Sequence, residues 1–224
     1  MLIHSDSKKG KRPSNEDQDI VLTNMNKTSG ELQPHNLFCI FDGHGGNKIS
    51  KYLKSNFAFY LMGKHIPADT FSDFQNFETY ITSVYNLIQS RLCIENKNIA
   101  ENCGSTALVM VHLLVKDVEY LYVVNIGDSR AVACNRYNIA IPLTKDHKPH
   151  TFEERKRIEK LIEKFPENKG LIAYDEGDWR IKDLALSRAF GDMDTMPYVT
   201  HNPSVYRYHV SEYSFVIMAC DGLW

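Results

Sequence analysis

Three apolar runs in this chain stop on an aspartate. Asp42-Gly43 follows residues 38–41, Asp128 follows Gly127 after residues 122–126, and Asp221-Gly222 follows residues 215–220. A further acidic pair, Glu16-Asp17, stands beside the apolar run 20–23. A carboxylate at the end of a buried strand is aimed rigidly. Several meeting at one sheet edge repel one another unless protons or cations lie between them. Oxygen donors without His or Cys select hard ions, magnesium or manganese. A pair of such ions makes water nucleophilic at neutral pH and stabilises charge on a transferring phosphoryl group. The bland alternative is that Asp-Gly is ordinary turn chemistry and that Glu16, Asp17 and Asp19 belong to a solvated loop.

Two other side chains suit the same chemistry. Arg12 precedes Glu16 by one short turn and is near enough to grip phosphate oxygens with both arms of its guanidinium. His44, within Gly43-His44-Gly45-Gly46, is placed to protonate a departing alkoxide. Standing alone, it would read as a turn histidine without a chemical role. The glycines around it let the backbone turn sharply, approach a ligand and expose a main-chain carbonyl.

The elements that must position these groups follow from periodicity. Ile49, Tyr52, Leu53, Phe57, Tyr60 and Leu61 predict a helix over residues 47–62. A second helix is expected to open at Thr70, with Asp73 in a weak capping box and a stripe from Phe71 to Leu92. A third opens at Thr151, with Glu154 spaced for a capping box, buries Ile158, Leu161, Ile162 and Phe165, and closes at Pro166. Strands are expected over residues 107–115, 120–126, 131–134, 139–143 and 215–220. Lys116-Asp117 and residues 127–130 have the length of hairpin turns. Residues 24–35 read as a surface connection and residues 166–180 as a polar loop. Strands joined by short turns, with helices in separate blocks, predict an α+β fold of antiparallel sheets covered by helices.

At 224 residues the chain is large enough for a real core and is expected to form one domain. A formal net charge of -2 gives no electrostatic case for nucleic acid or membrane binding, and Lys8-Lys9-Gly10-Lys11 reads as a solvated arm. The five cysteines are odd in number and lack zinc-site spacing. Cys39, Cys134 and Cys220 lie in apolar runs and read as small buried hydrophobes in a reducing compartment. With no signal peptide, no membrane span and Leu2 after Met1, the expectation is a monomer of the cytoplasm, the nucleus or both.

Seven segments then resemble, in order, motifs of the metal-dependent protein Ser/Thr phosphatases of the PPM (type 2C) family. They are Arg12-Pro13-Ser14-Asn15-Glu16-Asp17, Phe41-Asp42-Gly43-His44-Gly45-Gly46, Cys103-Gly104-Ser105-Thr106-Ala107 and Asn125-Ile126-Gly127-Asp128-Ser129-Arg130. They continue with Asp146-His147-Lys148-Pro149, Leu186-Ser187-Arg188-Ala189-Phe190-Gly191-Asp192 and Ala219-Cys220-Asp221-Gly222-Leu223-Trp224. The resemblance implies a β-sandwich of two antiparallel sheets flanked by α-helix pairs, with two magnesium or manganese ions at one edge. It also implies hydrolysis of phosphoserine and phosphothreonine in phosphoprotein substrates. By motif matching, Asp42 resembles the residue bridging both ions, with Glu16, the Gly43 carbonyl and Asp221 as further ligands. Asp17 resembles a residue that meets the ions through water, and Asp128 a contributor to a third, weaker site. Arg12 resembles the phosphate-binding arginine and His44 the general acid. Ser105, Thr106, Ser187 and Arg188 are assigned to support and packing.

Members of that family continue past the last of these motifs to further aspartates, so residues 1–224 are expected to be a single phosphatase domain incomplete at its C-terminus. The alternative function is a catalytically impaired relative that binds phosphoproteins or regulates a true phosphatase. Asp183 stands where the family usually has glycine, and aspartate tolerates unusual turns better than most residues.

Overall fold

The computed structural model describes residues 2–25, 36–63, 69–71, 73–115, 117–168 and 170–224. In chain order its elements begin β1 (Gln18–Leu22), β2 (Asn36–Phe41), β3 (Gly43–His44), α1 (Lys48–Leu61), α2 (Phe74–Glu95) and α3 (Lys97–Ala100). Next come β4 (Gly104–Ser105), β5 (Ala107–Val115), β6 (Val118–Ile126), β7 (Arg130–Asn135), β8 (Ala140–Pro142) and α4 (Phe152–Lys164). The remainder is β9 (Ile172–Asp175), β10 (Asp178–Ile181), β11 (Phe190–Gly191), β12 (Ser204–His209) and β13 (Tyr213–Ala219).

Strands β5 and β6 explain the layering. Both are apolar almost without interruption, which in an antiparallel sheet requires burial on both faces. They lie inside a five-stranded antiparallel sheet of order β1-β2-β5-β6-β12. Val109, Val111, Tyr122 and Val124 face one way, against Ile49, Leu53 and Phe57 of α1 and Phe77, Ile81 and Ile88 of α2. Their alternates Leu108, Met110, Leu121 and Val123 face the other way, against Ala131 and Ala133 of a second sheet, β13-β7-β8. The fold is therefore α+β, two antiparallel sheets packed face to face with a helix pair on the outer face of the larger. A third apolar cluster joins Ile158 of α4 to Ile181, Leu186, Tyr198 and Val199. Among the described residues no helix is long and apolar enough to cross a membrane.

Several local expectations are corrected. Helix α2 begins after Asp73, whose side chain accepts from the Gln75 N–H 2.9 Å away, so Asp73 is the cap and Thr70 lies outside the helix. Thr151 does occupy the cap position of α4, but its hydroxyl donates to Lys148 O, and Glu154 turns inward to two arginines instead of back to the cap. Residues 127–130 do not close a hairpin. They carry the chain from one sheet to the other, because β6 and β7 belong to different sheets. The turn at Asp117 does close β5 on β6, with φ 64°, while Lys116 lies outside the described residues.

Within the expected polar loop 166–180, β9 and β10 pair around Glu176 and Gly177, both at positive φ as a two-residue hairpin requires. Most of that hairpin is exposed or half-buried, so its sequence carries little alternation. Strand β12 also escapes the sequence reading; it is a half-exposed edge strand on β6. The left-handed residue near the unusual Asp183 is its neighbour Lys182, at φ 52°. Of the expected connection 24–35, residues 26–35 lie outside the described residues. Cys39 is buried, whereas Cys134 and Cys220 are half-buried, and all five thiols are free.

Candidate active site

Asp42 leaves β2 at the point where the chain turns into the two-residue β3. Its peptide is held on both sides by one residue: Thr106 Oγ1 accepts from the Asp42 N–H at 3.1 Å, and the Thr106 N–H donates to Asp42 O at 2.9 Å. Thr106 Oγ1 also meets Ser129 Oγ at 2.9 Å, which ties β5 to the corner between β6 and β7. The side chain so placed joins Asp17 and Cys220, with ligand-type atoms of all three within 4.8 Å of one another. Cys220 Sγ donates to Asp17 Oδ2 at 3.4 Å. Burial, together with the charges of Asp17, Asp221 and Asp128, pushes the Asp42 carboxyl up to about 8. A carboxyl under such pressure is stabilised as an anion once cations share the site.

The second corner, residues 127–130, is braced residue by residue by Asp146-His147-Lys148. Arg130 makes a two-pronged pair with Asp146, at 3.1 and 2.7 Å. His147 Nδ1 accepts from the Gly127 N–H at 3.2 Å, which leaves Nε2 to donate to Ser204 Oγ at 2.9 Å. That histidine is buried and neutral, its value lowered to about 3 first by burial and then by the Arg188 charge. The Lys148 ammonium pairs with Asp128 Oδ2 at 2.5 Å and lies 3.7 Å from Asp178 of β10. Burial raises the Asp128 carboxyl, and Lys148 opposes that shift. A lysine thus stands against the carboxylate expected to serve a third, weaker cation.

The remaining expected residues surround this centre. Gly43 pairs with Ser105, and a Cβ on it would collide with Glu16 O and Ser50 Oγ, so only glycine lets the Glu16 backbone approach. Ser50 Oγ donates to that same Glu16 carbonyl. The Glu16 side chain accepts from the Gly46 N–H at 3.3 Å and lies outside the Asp17–Asp42–Cys220 group. Asp221 is exposed in the turn after β13, and its charge reaches Asp42, Asp128 and Lys148. Arg12 sits in an exposed turn whose backbone N–H donates to Lys9 O. His44 is 23% exposed and its Nε2 lies 2.7 Å from Asp192 Oδ2. Burial alone would lower the His44 value, but the Asp192 hydrogen bond and charge prevail and raise it.

The fold brings Asp17, Asp128 and Asp221 within electrostatic reach of Asp42, while Glu16, Gly43 and His44 flank them. Carboxylate oxygens dominate the donor set, which fits hard divalent cations. Two participants were not singled out from sequence. Cys220 sits in an apolar run and read as core; its place immediately before Asp221 was the available signal. Asp192 closes a motif that read as support, and only its recurrence in a Gly-Asp pair hinted at a turn with chemistry.

The family model described as "Protein phosphatase 2C" matches residues 2–224. Similar curated proteins include Probable protein phosphatase 2C 45 of Oryza sativa subsp. japonica, 38% identical over 97% of this chain and 70% of that protein. Probable protein phosphatase 2C 11 of Arabidopsis thaliana is 37% identical over 97% of this chain and 53% of its own length. A PP2C-like domain-containing protein of Acanthamoeba polyphaga mimivirus is 52% identical over 47% of this chain and 59% of that protein. The chain thus spans between about half and seven-tenths of the length of these relatives. Among solved structures, a C. elegans sex determining protein superposes with a TM-score of 0.77 at 23% identity, covering 97% of this chain and 51% of that one. Serine-threonine phosphatase 2C from Toxoplasma gondii gives 0.66 at 21% identity, covering 95% and 75%. At such identities the structures speak for the fold alone.

Proposed function

Since this chain belongs to the protein phosphatase 2C family, we propose that it hydrolyses phosphoserine and phosphothreonine esters in proteins with the help of magnesium or manganese. The observation that carries this reading is the meeting of Asp17 and Asp42 within 4.8 Å, under the charges of Asp221 and Asp128. Asp42, Asp221, Glu16 and the Gly43 carbonyl would hold the ions, with Asp42 at their centre. Asp17 would meet them through water, and Asp128, now paired with Lys148, would serve a weaker third position. Bound there, the ions supply Lewis acidity toward phosphoryl oxygens and lower the pKa of water.

The chain's own residues do the rest. Arg12, on its exposed arm, grips the phosphate with a planar fork that matches two oxygens at once. His44 gives a proton to the departing seryl or threonyl oxygen, a poor leaving group unaided. A serine nucleophile has no place in the scheme. The reading extends to phosphoprotein substrates, a monomer, and a cytoplasmic or nuclear site of action. The alternative of a non-catalytic phosphoprotein binder draws no support from a chain that keeps Asp17 and Asp221 within charge range of Asp42.

The test is hydrolysis of p-nitrophenyl phosphate and of a phosphothreonine peptide with and without manganese, in the unmodified protein and in Asp42→Ala. Manganese-dependent turnover of both substrates, abolished by the substitution, is the expected result. Turnover that ignores manganese or survives Asp42→Ala would overturn the proposal.

A further inference from the structure

The carboxylate of Asp192 has no part in the chemistry above, yet its surroundings are built around one contact. The side chain is 3% exposed, and among the described residues its carboxylate hydrogen-bonds to His44 Nε2 alone. Asp192 adopts φ 45° and ψ 44°, a left-handed conformation that most L-residues avoid and aspartate tolerates. The neighbours fix it there. Its N–H donates to Cys103 O, and its carbonyl accepts from both Thr195 N and Thr195 Oγ1. Before it, Gly191 is gripped at both peptide groups by the buried Gln89 amide, each bond 3.0 Å. Gly104 passes directly beneath the pair, where any Cβ would collide with both Asp192 Oδ2 and His44 Nε2. A left-handed aspartate, a clamped glycine and a cleared floor all converge on one hydrogen bond between residues 148 positions apart.

We propose that Asp192 is a positioning residue for His44, holding the ring by Nε2 so that Nδ1 is the nitrogen presented to the departing ester oxygen. The proposal rests on the phosphatase reading for its consequence, though not for its geometry. As the P–O bond to the alcohol breaks, its electron pair goes to the ester oxygen and Nδ1–H supplies the proton. Water forms the new bond to phosphorus. The neutral ring keeps its Nε2–H on Asp192 and regains the Nδ1 proton from solvent, so one water is consumed per ester. A carboxylate acceptor also excludes the other tautomer, in which Nε2 lacks a proton, because two acceptors would then face each other.

The experiment compares two leaving groups in the unmodified protein, Asp192→Asn, Asp192→Ala, His44→Asn and the double variant His44→Asn with Asp192→Asn, at saturating manganese. Asparagine tolerates the left-handed conformation, so Asp192→Asn is the variant that preserves the fold, and its thermal midpoint checks this. Nitrophenolate departs without a proton, whereas a threonyl alkoxide does not. Asp192→Asn and Asp192→Ala are expected to lower kcat on a phosphothreonine peptide by about 10- to 100-fold, up to the lower end of the usual worth of general acid catalysis, with KM and p-nitrophenyl phosphate turnover nearly unchanged. The double variant should lose no more than His44→Asn does. Equal loss on both substrates, or none on either, would overturn the assignment. Proton–nitrogen NMR of histidine-labelled protein gives a readout independent of turnover. A hydrogen-bonded Nε2–H on His44 that vanishes in Asp192→Ala is expected, and an unprotonated Nε2 in the unmodified protein would refute the proposal. If the unmodified protein hydrolyses neither ester while that resonance is present, the phosphatase reading fails and the positioning geometry stands.

Discussion

Thr106 holds Asp42 by both peptide groups, one through its hydroxyl and one through its own N–H, and passes the constraint on to Ser129, so one residue sets the direction of the central carboxylate. Thr106→Val keeps the volume but strands the half-buried Asp42 N–H and the buried Ser129 hydroxyl. It should cost about 1–3 kcal/mol in urea unfolding and weaken manganese binding measured by calorimetry. Asp42→Asn should act oppositely on the two readouts. Manganese binding should be lost, while stability without metal rises by about 0.5–2 kcal/mol, because the carboxyl crowded by Asp17, Asp221 and Asp128 is gone. How much of this was legible differs by residue. Asp42, Asp128 and Asp221 announce themselves because an apolar strand ending on an acid is visible in one dimension. Asp192 does not, because its meaning lies in a backbone angle and in a partner 148 residues away. Cys220 misleads, since half of its setting is apolar and only its distance to Asp17 reveals the other half.

Helix α4 matters less for its capping than for Glu154, which a sequence reading aims at the helix start. The structure sends it inward, where Arg188 bonds Oε1 at 2.6 and 3.0 Å, Arg157 bonds Oε2 at 3.0 Å, and Ser187 donates at 2.8 Å. Burial would raise this carboxyl, but the hydrogen bond and charge of Arg188, with Arg157 behind, hold it at about 2. The folded value is below the ordinary carboxylate range. Its stabilising contribution is therefore complete above about pH 4.5 and is lost as pH falls toward 2. His147, neutral in the fold down to about pH 3 but free to protonate near 6.5 when unfolded, acts in the same direction from a higher pH. In Asp42→Asn, where the carboxyl held up at about 8 no longer opposes the trend, stability should decline from near pH 6.5 downward and steepen below 4.5, as followed by circular dichroism. Glu154→Gln should remove the steep lower part of that decline. Glu154→Ala should cost about 3–5 kcal/mol at neutral pH, because two arginines are left without their shared partner. Elements whose apolar faces are wholly buried, such as α1 and β5, were readable from period alone. The half-exposed β9, β10 and β12 were not, since partial exposure erases alternation.

For the whole molecule, the two sides of the five-stranded sheet are unequal. Its helix-covered face holds Phe41, Phe57, Phe77, Tyr85 and Phe190 at full burial, whereas the outer face of the second sheet leaves Phe215 55% and Ile217 43% exposed. Phe57→Ala should therefore cost about 3–5 kcal/mol in denaturant unfolding, and Phe215→Ala far less. On the proposed ligand set, divalent cations should tie the two sides together, because those residues come from the end of β2, from the segment before β1 and from the turn after β13. Manganese at a hundred times its dissociation constant should stabilise the fold by about 2.7 kcal/mol, seen as a rise in thermal midpoint that EDTA reverses.

Asp17 and Cys220 touch across 203 residues of chain. A ribosome making this polypeptide therefore delivers Asp42 and its threonine clamp early, and β13 with its thiol and aspartate late. Until β13 emerges, the acidic centre lacks its last wall. Asp42 thus waits for the second sheet to close on the first before its farthest neighbours arrive.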